Sequence, residues 1–471
     1  MHRKVFSLTR FDSWPNQLIL KQQLREPSLS SPISFSIPKH ICFSKSKFAA
    51  DNQNNFDTAC KFSSQRKTTL RTIARHCAIS RLMEVITESK KLKQACDALS
   101  RNDHITVDTE FVRETTFWPV LCLIQMAGDG IEVIVDPLAD GIDLAPFFKL
   151  MGDEAVVKVF HAARQDVEII YHLASIIPHP IFDTQVAAMV CGFGESVSYS
   201  KLVARLLKEE IDKTSQFTDW RHRPLSKRQL TYALADVTHL RPIYEHLANE
   251  LERSGRSHWL AEEMSVLTAP ATYESHPENA WRRLKLRVKS RKSLAIMMEL
   301  AAWRETEAQN RNLPRSRVIK DDAIYDIANQ APADKRQLVK LRTIHEGFAR
   351  SERANAVLAA VERGLARDPK SVPPLKRGTP PTPRTTAIVE LLRVHLKATA
   401  AHHGVATKMI ATADELERIA LEDSADVQAL KGWRRELFGE SALALKRGEL
   451  ALAMVDGGVQ AVSLKGLKQE V

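Results

Sequence analysis

Cysteine is scarce in this sequence, and the few cysteines present are not arranged in pairs. Only six of the 471 residues are cysteine, three of them within the first 82 positions, and none follows Cys191. No Cys-x-x-Cys motif occurs, so the spacing of a zinc ribbon or of a disulfide framework is missing. This usage fits a reducing compartment, and we expect a cytoplasmic protein.

Long apolar runs are missing as well. No stretch approaches the ~18 residues that a membrane-spanning helix needs, so we expect no membrane partner. Hydrophobic residues make up 44% of the chain and charged residues 27%, which excludes the disordered and collagen-like classes. A length of 471 residues predicts about three domains, at ~150 residues for each domain.

Positive charge is not spread evenly along the chain. The formal net charge is +11, but residues 1–82 alone hold 14 basic and 4 acidic side chains. Residues 83–269 hold 19 basic and 28 acidic side chains, and the remainder holds 35 and 25. An acidic segment followed by a basic one predicts separate chemical and electrostatic roles for the two.

Residues 1–82 are rich in serine and show no sustained helical or strand period, so we interpret them as a poorly ordered leader. Three explanations stay open. Translation could start at Met83, where a domain opens cleanly. The segment could instead be a transit or other targeting peptide, or an ordinary disordered tail.

Between residues 83 and 270, short β-rich runs alternate with helical patterns. The strand-like runs are HITVDTE, VLCLIQMAG, IEVIVDP and AVVKVFH. The helical patterns include ARQDVEIIYHLA, SKLVARLLKEE and SKRQLTYALADVTHLRPIYEHLANELE. Strands that alternate with helices predict a layered α/β domain with a mixed sheet.

Residues 271–471 are predicted to be helical throughout. A helical period begins after Ser293, which we expect to cap the helix. Its apolar positions are Leu294, Met297, Met298 and Ala301. Six of the 21 prolines lie between residues 369 and 383 and predict a stiff linker. We therefore expect two all-α domains, at residues 290–370 and 384–471.

Asp108 and Glu110 lie two residues apart in the strand-like run ITVDTEF. On a strand this spacing places both side chains on the same face. Two like charges side by side are costly unless a cation shares them, so the pair indicates a metal site. Taken alone, the pair is also typical of a solvated strand end.

Three further side chains lie on predicted helices. Asp166 falls in the first turns of the helix after VVKVF, where a carboxylate also simply favours the helix dipole. Tyr232 and Asp236 lie four apart, on one face of a helix that a Ser226 and Gln229 capping box begins. Read singly, they are typical of a core aromatic residue and a surface charge.

In this order, the pieces resemble the active-site motifs of the DEDD exonucleases of the tyrosine subtype. Longer stretches are similar to the ribonuclease D family, namely VDTEFVRETTFWPVLCLIQM, VFHAARQD, IFDTQVAA and IDKTSQFTDWRHRPLSKRQLTYALADVTHLRPIY. The C-terminal part, including GWRRELFGESALALKRGELAL, resembles the paired helicase-and-RNase-D C-terminal modules of that family. The resemblance runs from about Met83 to the C-terminus.

The resemblance implies an α/β ribonuclease-H-like exonuclease domain followed by two all-α helical-bundle domains. It implies a monomeric 3′–5′ exoribonuclease, a hydrolase that releases 5′-mononucleotides from RNA, typically in the 3′ processing of tRNA precursors. It also implies that two divalent cations, Mg²⁺ or Mn²⁺, are bound by four carboxylates and that Tyr232 orients the attacking water. The four implied metal ligands are Asp108, Glu110, Asp166 and Asp236.

General chemistry agrees with these residue types. Phosphodiester hydrolysis builds negative charge on the attacking and leaving oxygens, and two metal ions stabilise both. Ligands that are all carboxylate oxygens select hard ions such as Mg²⁺ or Mn²⁺. Tyrosine, with an ordinary pKa of ~10, suits water positioning better than proton abstraction.

Other chemically tempting residues are interpreted as structural or as less specific. Asp183 is predicted to be a helix N-cap, and His161 a structural histidine beside the site. His402 and His403 lack partner ligands, so no metal is expected there. Residues 281–293 carry seven lysines and arginines, which predict either a solvated face or contact with the RNA backbone.

Two rival functions stay open. One is a tyrosine-subtype exonuclease that acts on DNA and shares the same acids. The other is an RNA-binding protein with an inactive nuclease domain, which five intact motif positions argue against. We expect the acidic domain to perform the chemistry and the two helical modules to supply the basic surface for RNA.

Overall fold

The computed structural model describes residues 84–375 and 382–464. The predicted leader of residues 1–82 therefore lies outside the described residues. Residues 376–381 of the predicted linker lie outside them as well. None of the helices in the described ranges combines the length and the apolar character that a bilayer span requires.

A six-stranded mixed sheet forms the centre of the first domain, in the order β1-β4-β3-β2-β5-β6. Its strands are β1 (Val85–Ile86), β2 (His104–Val112), β3 (Val120–Gly128), β4 (Ile131–Val135), β5 (Val157–Phe160) and β6 (Ile181–Asp183). Strand β2 pairs antiparallel with β3 and parallel with β5, so it lies inside the sheet. Strand β3 is buried along nearly its whole length because both faces of the sheet are covered. The predicted mixed sheet is confirmed.

Helices cover the sheet on both sides. They are α1 (Ser89–Leu99), α2 (Ala145–Met151), α3 (Arg164–Ala174), α4 (Thr184–Val190), α5 (Tyr199–Leu206), α6 (Lys227–Thr238), α7 (Leu240–Arg253) and α8 (Ser257–Thr268). Helix α6 begins with the predicted capping box, in which the Ser226 hydroxyl accepts from the Gln229 amide and the Gln229 side chain binds the Ser226 amide. This cap sets the first turn of the helix that carries Tyr232 and Asp236.

Residues 271–375 form a first helical module. Its helices are α9 (Arg291–Asn310), α10 (Arg315–Val318), α11 (Asp321–Gln330), α12 (Lys335–Val339), α13 (Glu346–Arg350) and α14 (Glu352–Ala366). The expectation that Ser293 caps α9 is wrong. Ser290 is the N-cap, and its hydroxyl accepts a hydrogen bond from the Ser293 amide at 3.0 Å. The apolar period begins only after this first turn, which explains the displaced prediction.

Residues 382–464 form a second helical module. Its helices are α15 (Pro383–His403), α16 (Thr407–Ile410), α17 (Ala413–Leu421), α18 (Gly432–Arg434) and α19 (Glu440–Lys446), with a π-helical turn at Arg435–Gly439. The expectation of helix throughout is wrong at the end of this module. Strands β7 (Leu450–Val455) and β8 (Gly458–Ser463) form an antiparallel hairpin. Asp456 and Gly457 both have positive φ, at 49° and 78°, as a two-residue hairpin turn requires.

The two modules relate differently to the first domain. Apolar side chains of the second module belong to the same buried cluster as those of the α/β domain. The first module has a buried cluster of its own, built around α9, α11 and α14. A small cluster of Phe117, Ala308 and Val318 joins the first module to the loop after β2.

Candidate active site

Asp108 and Glu110 lie on β2 and project to the same face of the sheet, because residues two apart on a strand share a face. The pairing of β2 with β3 shifts register between Glu110 and Phe111. Such a bulge bends a strand locally and is common beside active sites. The two carboxylates thus lie where an interior strand changes direction.

Asp236 reaches the same place from helix α6. One oxygen from each of Asp108, Glu110 and Asp236 lies within 4.8 Å of the others. Asp236 is only 9% exposed. Tyr232 lies one turn earlier on α6, where its phenol interacts electrostatically with the Asp236 carboxylate. Three of the four predicted carboxylates and the predicted tyrosine therefore converge.

Burial raises the pKa of each carboxyl group in this cluster. It is the largest cause for Asp108, Glu110 and Asp236, and the negative charge of Asp236 raises the pKa of Asp108 further. The pKa of Asp236 rises to about 7. Burial, followed by the charge of Asp236, also raises the pKa of the Tyr232 phenol. Tyr232 therefore holds its proton more tightly than a free phenol, which favours donation of a hydrogen bond over proton abstraction.

Asp166 lies beside the cluster rather than within the group of three. It is in the first turn of α3 and is 6% exposed. Its carboxylate accepts a hydrogen bond from the Thr109 hydroxyl at 2.5 Å. Burial, and then the charge of Asp108, raise the pKa of Asp166. The fourth predicted ligand is thus held by the strand that carries the first two.

Asp183 has the predicted role of N-cap, for helix α4, and a second structural role as well. Its carboxylate accepts from the amide of Gln185 at 2.8 Å. It also accepts from the amides of Ala162 and Ala163, at 3.0 and 2.9 Å, in the turn that precedes α3. Asp183 therefore fixes the start of the helix on which Asp166 lies.

The histidines that the sequence reasoning kept off the site have contacts of other kinds. The Nδ1 atom of His161 lies 3.0 Å from the Thr184 hydroxyl. The rings of His402 and His403 contact each other edge to face, with centroids 4.8 Å apart. Within the described ranges, the group of three potential metal ligands consists of Asp108, Glu110 and Asp236, and it includes none of these three histidines.

Three residues that support the site were missed by the sequence reasoning. Thr109 lies inside the Asp-x-Glu motif, at the position the motif leaves open. The Thr106 hydroxyl donates to the Val237 carbonyl at 2.8 Å and so ties β2 to α6. The Tyr199 hydroxyl lies 3.0 and 2.8 Å from the Ala235 and Asp236 carbonyl oxygens. These contacts join distant segments, and no local spacing signals them.

The donor set fits a divalent cation. Within the described part of the chain, no lysine, arginine or histidine forms an ion pair with Asp108, Glu110 or Asp236. Three carboxylates that lie this close together, largely withdrawn from water and without a protein cation, repel one another when ionised. A hard cation bound by carboxylate oxygens removes this repulsion, and Mg²⁺ and Mn²⁺ prefer such ligands.

The basic run at residues 281–293 is partly engaged in the fold. Arg283 pairs with the buried carboxylate of Glu305 at 2.8 Å, and Arg291 donates to the Val372 carbonyl at 2.6 Å. Three exposed lysines of the run form no ion pair with any described residue, and they are Lys285, Lys289 and Lys292. The run therefore contains arginines that contact the rest of the module, such as Arg283 and Arg291, as well as lysines that face solvent.

Comparison with known protein families identifies two domains. A family described as 3′–5′ exonuclease matches residues 83–252. The HRDC domain matches residues 293–361, within the first helical module. The exonuclease match thus contains all five predicted site residues, and the HRDC match contains most of the separately packed helical core.

Individual proteins match over most of the chain. Ribonuclease D of Nitrobacter hamburgensis is 57% identical over 377 residues, which cover 80% of this chain and 98% of that protein. Ribonuclease D of Bartonella henselae is 42% identical over 401 residues, with coverage of 85% and 99%. The crystal structure of Escherichia coli RNase D, an exoribonuclease involved in structured RNA processing, is 27% identical with a TM-score of 0.68. That match covers 78% of this chain and 98% of the other.

Proposed function

Because this chain belongs to the ribonuclease D family and is a 3′–5′ exoribonuclease, we propose that its reaction centre consists of the five predicted residues. Asp108, Glu110 and Asp236 hold divalent cations, with Asp166 as the fourth ligand and Tyr232 as the residue that orients water. The convergence of three carboxylates within 4.8 Å, with no protein cation paired to them, carries this proposal. Bound Mg²⁺ or Mn²⁺ supplies charge stabilisation and acidifies a coordinated water.

The protein side of the reaction follows from the burial of the site. Asp108 and Glu110 lie on a strand fixed by neighbours on both sides, so their spacing does not depend on the substrate. Thr109 restrains the Asp166 carboxylate through its hydroxyl hydrogen bond. A site held this rigidly places the 3′-terminal phosphodiester against preset carboxylates, which lowers the entropic cost of reaching the reactive geometry.

Tyr232 acts by alignment. Its raised pKa keeps the phenol protonated, and the Asp236 carboxylate one turn later is the acceptor that we assign to this proton. With its proton donated to that carboxylate, the phenolic oxygen still has a lone pair that can accept a hydrogen bond from a neighbouring water. Its role is therefore to hold the nucleophilic water in line with the scissile bond.

RNA affinity away from the reacting phosphate comes from the first helical module. Residues 271–375 carry 21 basic against 13 acidic side chains, whereas the α/β domain is acidic. Clustered lysines attract the phosphate backbone without reading sequence. The exposed side chains of Lys285, Lys289 and Lys292 are the proposed backbone contacts.

The physiological substrate that we propose is the 3′ end of tRNA precursors, an assignment that the family resemblance supports. All five residues of the proposed reaction centre come from one chain, so a monomer suffices for activity. Cys96, Cys122 and Cys191 are free thiols, which supports a cytoplasmic location.

One digestion experiment tests this proposal. Single-stranded RNA and DNA of the same sequence, with either a 3′-hydroxyl or a 3′-phosphate, are incubated with Mg²⁺ or with saturating EDTA. We expect stepwise shortening of RNA from the 3′-hydroxyl end, release of 5′-mononucleotides and complete loss of activity in EDTA. Faster degradation of DNA than of RNA would favour the DNA-specific rival. Binding without hydrolysis under all conditions would favour the inactive RNA-binding rival.

A further inference from the structure

The loop between α5 and α6 carries one aromatic ring that is almost fully exposed. Phe217 has 92% of its surface exposed, the largest value among the exposed large hydrophobic residues of the described chain. An aromatic ring in water forgoes the favourable free energy that burial supplies. Its exposure therefore needs a reason other than folding.

A loosely held loop is not that reason. Phe217 lies in a turn closed by the hydrogen bond from the Thr218 amide to the Ser215 carbonyl, at 3.2 Å. The Thr218 hydroxyl donates to the same carbonyl at 2.8 Å. Ser215 itself is buried, with 3% of its surface exposed. The backbone on both sides of the ring is thus anchored, and the fold directs the ring outward.

The turn is attached to the helix of the reaction centre. The Gln229 side chain, in the first turn of α6, donates to the Thr218 hydroxyl at 3.1 Å. The buried ring of Trp220 lies 6.1 Å, centroid to centroid, from the ring of Tyr232. Helix α6 rises ~1.5 Å per residue, so Gln229 and Tyr232 lie only about 4.5 Å apart along the helix axis. Phe217 is therefore the sequence neighbour of Thr218, which contacts the first turn of the helix that carries Tyr232 and Asp236.

Charge around the ring suits a polyanion. Residues 212–228 carry five lysines and arginines against two aspartates. The exposed side chains of Lys213 and Lys227 form no ion pair with any described residue. The carboxylate cluster repels phosphates that are not at the metal site, so the adjacent basic segment provides a path for the chain that leads to it.

We propose that Phe217 is a stacking platform for a nucleobase near the 3′ end of the RNA substrate. This inference rests on the proposed function, because it assigns to the same site a contact with the base rather than with the phosphate. A single aromatic ring has the area to stack on one nucleobase. Such stacking does not depend on which base is present, because every base has a flat aromatic face. A protein interface needs about 800 Å² from each partner, far more than one side chain offers.

The expected effect is a loss of affinity that depends on a base being present. Removal of a stacking ring weakens single-strand binding roughly 5- to 100-fold. We therefore expect Phe217→Ala to bind intact single-stranded RNA at least ~5-fold more weakly than the parent chain. Phe217→Tyr keeps the ring and is expected to bind as the parent does, whereas Phe217→Leu keeps apolar surface and is expected to lose most of the effect.

A double-mutant cycle identifies the contact. Binding is measured by fluorescence anisotropy in an Asp108→Asn background, which prevents degradation of the RNA. The probes are one single-stranded RNA and a series in which one nucleotide near the 3′ end is abasic. At one position, loss of the base should weaken binding by the parent chain and leave Phe217→Ala unaffected. Leu421→Ala, which removes another exposed apolar side chain in the second module, is the matched control and should change nothing.

Three results would overturn the inference. Equal binding of intact RNA by the parent chain and Phe217→Ala is the first. Full retention of affinity by Phe217→Leu, which would show apolar contact without stacking, is the second. A marked fall in melting temperature for Phe217→Ala, which would show a structural role, is the third. Hydrolysis by the unmutated enzyme is measured in parallel, because its absence would refute the proposed function instead.

Discussion

The two helical modules differ in how they join the exonuclease domain. Side chains of the second module, residues 382–464, complete the same buried apolar cluster as those of the exonuclease domain. The first module, residues 271–375, has a separate core and reaches the domain through a small cluster around Phe117. The second module is therefore a structural extension of the catalytic domain, and the first is an attached arm.

The contacts between the second module and the exonuclease domain are of the kind found inside domains. Trp259 of α8 stacks on Trp433 with ring centroids 4.3 Å apart. The neighbouring Arg434 is 7% exposed and pairs with Glu262 at 2.9 Å and also with Glu263. The stacked rings and the buried guanidinium therefore join the second module to the exonuclease domain.

Charge separates the modules just as clearly. The first holds 21 basic and 13 acidic side chains, and the second holds 10 and 11. Only the first module therefore carries an excess of positive charge, and the supply of basic surface to RNA by the modules stays a prediction. Cutting the chain near residue 272 would remove both and expose the shared core, so single substitutions compare the modules more cleanly than truncation does.

The largest expected effect is a loss of activity at the proposed reaction centre. The effects of substitutions in either module are compared with this loss. Asp108→Asn removes one charge from the carboxylate cluster and should lower kcat on the order of 10³-fold or more, with weaker Mg²⁺ binding. Its RNA affinity in EDTA and its melting temperature should stay near those of the parent. Stepwise digestion of a labelled RNA measures the loss of activity, and calorimetric Mg²⁺ titration measures metal affinity.

Tyr232→Phe is expected to be the next most severe change. Removing only the hydroxyl should reduce kcat on the order of 10²-fold, because the water loses its orienting partner. All four carboxylates remain, so Mg²⁺ affinity should be unchanged, in contrast to Asp108→Asn. Equal losses of metal affinity in both variants would show that the roles are assigned wrongly.

A substitution between the second module and the exonuclease domain should lower the unfolding free energy rather than the rate of hydrolysis. Arg434→Ala removes a buried guanidinium that donates to the Met409 carbonyl and pairs with two partly exposed carboxylates, so it should cost about 1–3 kcal/mol of unfolding free energy. Arg287→Ala, which breaks an exposed pair with Asp322 in the first module, should cost about 0–1 kcal/mol. Denaturant titration of both variants measures the difference. Similar costs would contradict the distinction between a shared core and an attached arm.

A smaller effect is expected where the first module meets the loop after β2. The Asn312 side-chain oxygen accepts from the amides of Phe117 and Trp118, at 3.0 and 2.9 Å. Asn312→Gly tolerates the positive φ of this position but loses the acceptor, whereas Asn312→Asp keeps it. We expect Asn312→Gly to lose about 1 kcal/mol and to slow trimming of a tRNA-sized RNA more than hydrolysis of a dinucleotide. A matching loss in Asn312→Asp would show that the hydrogen bonds are not responsible.

Local sequence patterns predicted the α/β domain and two pairs of residues that the structure brings together, for a physical reason. Asp108 and Glu110 share a strand face, and Tyr232 and Asp236 share a helix face, so spacing alone determines each pair. Which pairs meet in space depends on sheet order and helix packing, which the family resemblance supplied rather than the spacing itself. The support from Tyr199 depends on that packing and has no local signal.

The errors in the helical region have equally specific causes. The turn Asp456-Gly457 lies between two apolar runs and is a hairpin signal, but the surrounding helical segments outweighed it. Ser290 was passed over as an N-cap because the apolar period becomes visible only one turn later. Nothing in the spacing of the second module indicates that its apolar face completes the core of the catalytic domain, since that depends on tertiary packing.

The salt dependence of RNA binding tests the division between the modules most directly. One variant replaces Lys285, Lys289 and Lys292 with Gln. A matched variant makes the same change at three exposed basic residues of the second module that form no ion pair with any described residue, Arg384, Lys397 and Lys408. Each phosphate contact contributes ~0.7 to the slope of log K against log salt on single strands. We predict that the first variant lowers the slope by up to ~2 and that the second leaves it unchanged. Equal reductions in both variants, or an unchanged slope in the first, would contradict the account.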